Sequence, residues 1–338
     1  MYGVGCVMDQ CTMRKLTCFF IASIQFNGFP KGINFSPDGE YLFVESWEWK
    51  NTPRAGMMSV FNTHVLDYIN TYSIEDQIPY GFTVNPTGGN IATFSCEGLT
   101  VRDMITGNVI SKTDRTDFEC ACYSPDGKKI VLSSGDEALF TFIIESGTLI
   151  KGTDHPQTAT TICPVSEDTF LIATVAQEGS MFWFARMDER GVMQGIEGME
   201  KWFDEIGLTV SFDIQSNRIC AVSDIAHIFG YPNGERQAIF DSGGDFVWYG
   251  EEIIPSSRRE RYDWSNPVFL GSSGVVACES PEGLLFLDLD SQQRIGIFEG
   301  HSVGRRYLAY HAGKKLLASV GGDGVCIVRR VDVEDVGD

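Results

Sequence analysis

The turn Phe35-Ser36-Pro37-Asp38-Gly39 returns almost unchanged as Tyr123-Ser124-Pro125-Asp126-Gly127, and each copy separates one alternating apolar run from the next. Degenerate copies stand at Asn85-Pro86-Thr87-Gly88-Gly89, Cys163-Pro164-Val165-Ser166, Ile214-Gln215-Ser216-Asn217, Leu270-Gly271-Ser272-Ser273-Gly274 and His311-Ala312-Gly313. Measured on an early apolar residue after each turn (Leu42, Ile91, Ile130, Phe170, Ile219, Val275, Leu316), the intervals are 49, 39, 40, 49, 56 and 41 residues. Seven units at that period are the signature of a radial β-repeat. A four-stranded unit cannot cover both its faces alone, so repetition from end to end predicts one closed body over residues 1–338.

The last unit is the clearest. From Gly300-His301 it runs through Tyr307 to His311 and Lys315 to Val320, then crosses Gly321-Gly322-Asp323-Gly324 into Val325 to Val328. Short β-type runs between Gly/Asp turns suit a small antiparallel sheet. This unit supplies three strands and then the chain ends, whereas the apolar run from Lys15 to Gln25 has no unit of its own. Pairing that run with Val325 to Val331 leaves no sheet edge open. The predicted fold is therefore all-β, a seven-bladed β-propeller whose last blade is closed by an N-terminal strand over about residues 15–25. Two internal units, Asn90–Ser95 with Leu99–Asp103 and Asn108–Ser111, and Lys129–Ser133 with Ala138–Ile144, repeat the same layout.

The formal charge is −20, with 46 acidic residues against 26 basic. Such a surface repels phosphate backbones and anionic lipid, which argues against nucleic-acid or membrane partners. Of the ten cysteines, Cys96, Cys120, Cys122, Cys163, Cys220, Cys278 and Cys326 fall in or beside strand-like runs, where cysteine acts as a small hydrophobe. With no Cys-x-x-Cys pair, they are read as reduced packing residues of an intracellular protein, cytoplasmic or nuclear. No stretch reaches the about 20 apolar residues that a membrane helix requires.

The residues resemble the WD-repeat β-propellers over almost the whole chain. Gly300-His301 is similar to that family's Gly-His opening, Leu317-Ala318-Ser319 to its second strand, and Thr100-Val101-Arg102-Asp103 with Thr106-Gly107 to the stretch around its terminal Trp-Asp. The Trp position of the last unit holds Arg329, and most other units lack both signatures, so the likeness is to a divergent member. It implies that His301, Ser319 and Asp323 carry part of a structural hydrogen-bond network.

Function in such a scaffold is sought where the spacing is irregular. One interruption, about 47–56, holds Trp47 and Trp49, which either cover the edge of their own blade or form an aromatic contact site. A second, about 187–207, places Ile196, Met199, Trp202, Phe203 and Ile206 at helical spacing, predicting a short amphipathic helix packed on the rim, whose apolar face either belongs to the core or offers Trp202 and Phe203 as partner contacts. A third, about 231–267, gathers Trp248, Tyr249, Tyr262 and Trp264 beside Arg258, Arg259 and Arg261, the residue types enriched in binding hot spots. The acidic tail 332–338 is read as frayed.

The chain lacks phosphate-loop, dinucleotide and nucleophile-elbow motifs, and its five histidines have no ligand spacing. No cofactor or metal is expected. The expected function is a non-catalytic protein-protein interaction scaffold or adaptor in a larger complex. The alternatives are a propeller enzyme, hydrolase or lyase, with a site at the central axis, and a reader of peptide or nucleic acid.

Overall fold

The computed structural model describes residues 14–26, 28–47, 56–75, 79–95, 97–135, 138–154, 157–176, 179–203, 208–222, 226–240, 267–280, 283–301 and 306–335. Strand β1 (Arg14–Gln25) comes first. Blade 1 is β2 (Phe29–Phe35), β3 (Tyr41–Trp47), β4 (Gly56–Asn62) and β5 (Tyr68–Glu75). Blade 2 is β6 (Pro79–Val84), β7 (Asn90–Ser95), β8 (Gly98–Asp103) and β9 (Val109–Thr113). Blade 3 is β10 (Phe118–Tyr123), β11 (Lys129–Ser134), β12 (Ala138–Ile143) and β13 (Thr148–Asp154). Blade 4 is β14 (Thr158–Pro164), β15 (Thr169–Ala176), β16 (Gly179–Met187) and β17 (Met193–Phe203). Blade 5 is β18 (Thr209–Asp213), β19 (Arg218–Val222), β20 (Ala226–Gly230) and β21 (Glu235–Phe240). Blade 6 is β22 (Val268–Phe269), β23 (Val275–Ser280), β24 (Gly283–Asp288) and β25 (Gln293–Phe298). Blade 7 is β26 (Arg306–His311), β27 (Leu316–Gly321) and β28 (Val325–Asp335), completed by β1.

Each blade is a four-stranded antiparallel sheet in chain order, and the first strand of every blade touches the first strand of the next around a closed ring. The molecule is a seven-bladed β-propeller. Among the described residues the buried apolar side chains form seven clusters, one in each gap between adjacent blades. That distribution explains the sequence pattern. Middle strands such as β11 and β24 are buried on both faces and read as continuous apolar runs, while outer strands such as β9 are partly exposed.

The recurring turn joins blades as well as strands. In the first copy the Ser36 hydroxyl donates to Asp38 Oδ1 (2.5 Å), the Tyr41 N–H donates to Ser36 Oγ (2.9 Å), and Gly39 takes φ 70°. Ser124, Asp126, Lys129 and Gly127 repeat this geometry. The tip then docks on the preceding blade. His311 Nε2 donates to Pro37 O (3.0 Å), and Asn85 Nδ2 donates to Gly127 O (3.0 Å).

Closure follows the predicted strand exchange. β1 pairs antiparallel with β28 from Arg14↔Asp335 to Gln25↔Val325. The acidic tail is correspondingly corrected: Asp332 to Asp335 are strand residues, with Lys315 Nζ on Asp332 at 2.5 Å, and only 336–338 lie outside the described residues. Arg14 reaches past its own blade to Asp288 and, at 2.5 Å, to Asp290, which also receives Arg218 of blade 5 at 2.7 Å.

The helix expected within 187–207 is also corrected. Met193–Phe203 is the outer strand of blade 4, and residues 188–192 form the hairpin turn that leads into it. Phe182 pairs with Lys201 and Phe184 with Ile196, so Glu197 to Glu200 bulge opposite Trp183, with Gly198 at φ 80°. The bulge shifts the phase of the alternation, so Ile196, Met199 and Phe203 all join the cluster between blades 4 and 5. A strand with such a slip mimics a helical period. The third interruption is narrowed too: 231–240 are the ordinary turn and outer strand of blade 5, and the extra length lies in 241–266, outside the described residues.

Candidate functional site

In a radial sheet the faces of the inner strand are covered by neighbouring blades, so the regular pleat offers few side chains to the central axis. A β-bulge removes one residue from that pleat. In four consecutive blades the inner strand slips by one residue at the same level: between Pro30 and Gly32, Pro79 and Gly81, Phe118 and Cys120, and Ala159 and Thr161. The residues left outside the ladder are Lys31, Tyr80, Glu119 and Thr160. Blades 5 and 7 show no such slip, and the inner strand of blade 6 has two residues. The four lie near the starts of their strands, at the end where each outer strand leads to the next blade and each second strand turns into the third.

The second strands are built to match. Opposite the four slips stand Ser46, Ser95, Ser134 and Thr174, all buried. Where the ladder is interrupted, a short hydroxyl bonds to nearby groups: Ser95 Oγ accepts from Glu97 N–H (3.0 Å), and Thr174 Oγ1 donates to Gln157 Oε1 (2.8 Å).

The four bulged residues differ in what they do. Lys31 Nζ lies 3.8 Å over the Trp47 ring. Tyr80 is 48% exposed. Thr160 is committed to structure, its hydroxyl donating to Leu208 O (2.6 Å) and tying blade 4 to the start of blade 5. Glu119 is exposed beside Asp117, whose carbonyl accepts from Gly135 N–H (2.9 Å) while its backbone holds φ 70°, an uncommon conformation for a non-glycine residue. Partial burial, and then the Asp117 charge, push the Glu119 carboxyl above its usual range. Among the described residues no ion pair reaches Asp117 or Glu119. Nearby Arg115 lies with its guanidinium 4.0 Å over Phe140.

The residues singled out in the sequence are scattered. Trp47 sits beside Lys31 at the mouth, supporting its own blade. Trp202 is 61% exposed on the outer strand of blade 4, far from the axis in the sheet order. Of the two readings of that apolar face, Phe203 takes the core one and is withdrawn as a partner contact: it is 7% exposed and packs on Phe182, Phe229 and His227. Trp49, Trp248, Tyr249, Arg258, Arg259, Arg261, Tyr262 and Trp264 lie outside the described residues.

His301, Ser319 and Asp323 do come together. His301 Nδ1 donates to Asp323 (3.0 Å), and its Nε2 meets Ser319 Oγ at 3.0 Å. Arg329 donates to Ser319 Oγ (3.4 Å) and to the Glu299 carbonyl, so a guanidinium supplies the donor at this position. Glu279 accepts the His301 N–H (3.3 Å), and Arg306 donates to His301 O (3.2 Å). Burial pushes the Glu279 carboxyl up, against His301 and the hydrogen bonds that favour its charge. Glu279, His301, Arg306, Ser319 and Arg329 are buried, Asp323 is half-buried, and the assembly ties blade 6 to blade 7.

Sequence reasoning missed Lys31, Tyr80, Glu119 and Thr160. Their spacing of 49, 39 and 41 residues tracks the repeat, as does that of the buried hydroxyls at 46, 95, 134 and 174. Among the described residues no three His, Cys, Asp or Glu side chains are grouped to hold a metal ion, and no helix is long and apolar enough to cross a membrane. Seven cysteines lie in the described residues, and none forms a disulfide. No protein-family model matches the chain, and no curated protein matches it either.

Proposed function

We propose that this chain is a divergent WD-repeat-like propeller acting as a non-catalytic protein-interaction platform, a scaffold or adaptor subunit of an intracellular complex, engaged through the axial mouth of blades 1 to 4. One observation carries the reading: four successive blades place a bulge at one level of the inner strand, and three of the residues so displaced, Tyr80, Glu119 and Thr160, are exposed. A bulge interrupts ladder hydrogen bonds, and bulges concentrate where a side chain is re-aimed for function. The WD-like part of the proposal is supported by Gly300-His301 and by the His301–Ser319–Asp323 network with Arg329 as its added donor. The seven cysteines among the described residues are free, which fits a cytoplasmic or nuclear setting.

The test is affinity capture with mass spectrometry from the native source, comparing the wild type with Tyr80→Ala/Glu119→Lys and with Trp202→Ala on the rim. The mouth variant is expected to lose a defined set of partners at an unchanged melting temperature, while the rim variant keeps them. Retention of every partner by the mouth variant sinks the assignment.

A further inference from the structure

We infer that the group received at the axial mouth is the ammonium or guanidinium of a Lys or Arg side chain, presented by an extended segment of a partner protein to Tyr80 and the Asp117/Glu119 carboxylates. This rests on the platform reading above and adds the chemistry of the partner.

Tyr80 and Glu119 occupy equivalent bulge positions on β6 and β10, adjacent inner strands at one level. The bulges thus set an aromatic residue and a carboxylate at equivalent positions of neighbouring inner strands, the two residue types that a side-chain cation uses. Asp117 stands two residues before Glu119, its backbone anchored through its carbonyl to Gly135, and its charge is felt at the Glu119 carboxyl. The neighbouring cations do not neutralise them: Lys31 lies over Trp47 and Arg115 over Phe140. An arriving cation thus meets two neighbouring carboxylates. Thr160 bounds the site without competing, because its hydroxyl is spent on Leu208. The net charge of −20 draws a basic segment from a distance and repels an acidic one.

The experiment uses the full chain and fluorescence anisotropy with three labelled nonapeptides, alternating Arg/Ser, alternating Lys/Ser and alternating citrulline/Ser. The Arg and Lys peptides are expected to bind, and the citrulline peptide, of matched shape without charge, more weakly by about tenfold or more. Glu119→Gln, close to isosteric, is expected to weaken the basic peptides about tenfold, and Tyr80→Ala about threefold. Glu167→Gln, an exposed acid in the blade 4 turn at the opposite end, is expected to leave them unchanged. Equal weakening by Glu119→Gln and Glu167→Gln means diffuse attraction to an acidic protein and overturns the inference. Equal binding of the citrulline peptide overturns it as well. Loss of native partners by the mouth variant together with either of those outcomes leaves the platform standing and removes only the cationic partner; unchanged native capture removes the platform itself.

Discussion

Gly127 shows how much of this fold depends on single atoms. It holds φ 69°, and a Cβ built there would stand 2.1 Å from Asn85 Oδ1 of the preceding blade. Alanine therefore carries two costs, about 1–2 kcal/mol for a left-handed backbone and about 1–3 kcal/mol for overpacking. Gly89 separates them, because at φ 83° it faces open space within 4 Å. Gly127→Ala is expected to lower stability by about 2–5 kcal/mol and Gly89→Ala by about 1–2 kcal/mol, measured as urea midpoints at unchanged m. Equal losses would mean that the close contact of this turn with the preceding blade contributes nothing to the cost. Leu66 gives the complementary case: at φ 55° in the blade 1 turn it occupies a conformation that Gly107 and Gly147 fill in the next two blades, and its side chain packs into the cluster between blades 7 and 1.

At the scale of elements, legibility depended on whether pairing left a mark in the sequence. An apolar run without a blade and a blade without a fourth strand imply one another, so the exchange of β1 onto β28 was readable. The last residues of β28 were not, because Asp332 to Asp335 look like a solvated tail until Arg14 and Lys15, some three hundred residues earlier, are found across the ladder. The outer strand β17 was hidden by its bulge, whose phase slip turned an alternation into a helix-like spacing. The axial mouth was hidden for the same physical reason. A register slip belongs to a pair of strands and not to either alone, so Tyr80 and Glu119 stand out only when blade is laid on blade. The closure itself is open to test through Arg14, which bridges β1 to Asp288 and Asp290 of blade 6. Asp288 is buried yet keeps bonds from Ser291 Oγ and Asp290 N–H. Arg14→Ala is therefore expected to cost about 1–3 kcal/mol, less than the loss of a buried pair without substitutes. Arg218→Ala, which leaves Asp290 its contact with Arg14, is expected to cost less in the same urea titration.

Over the whole molecule, the shifted carboxyls sort by end in the direction of their pKa. At the end opposite the mouth, aspartates fold back on their own turns. The Ser36 hydroxyl and the Glu40 N–H hold Asp38 below the usual carboxylate range, Thr106 does so for Asp103, and Thr169 with Ser166 for Asp168. Burial pushes Asp126 up, but the Ser124 hydroxyl and Lys128 N–H outweigh it. A carboxyl whose folded pKa is depressed gives stability that is present above its unfolded pKa, about 3.9, and is lost as pH falls through the folded value. Acid should therefore loosen blades 1 to 4 together. Glu119 and Glu279 have the opposite sign, since their raised pKa values mean that the folded state binds the proton more tightly and gains stability as pH falls through them. Mild acid also relieves the self-repulsion of a chain at −20. The melting temperature at low salt is thus expected to rise from pH 8 to a maximum at about pH 5–6 and to fall steeply below about pH 4. Added salt should flatten the neutral side of that curve by screening exposed charge, and leave the acid limb in place. Asp38→Asn with Asp126→Asn should lower stability at pH 7 and make the acid limb shallower, because the variant has fewer depressed carboxyls to protonate. Melting curves from pH 3 to 8 at two ionic strengths check each element, and a melting temperature that climbs steadily from pH 5 to 8 at low salt would remove the claim that self-repulsion and the carboxyls of raised pKa oppose this fold at neutral pH.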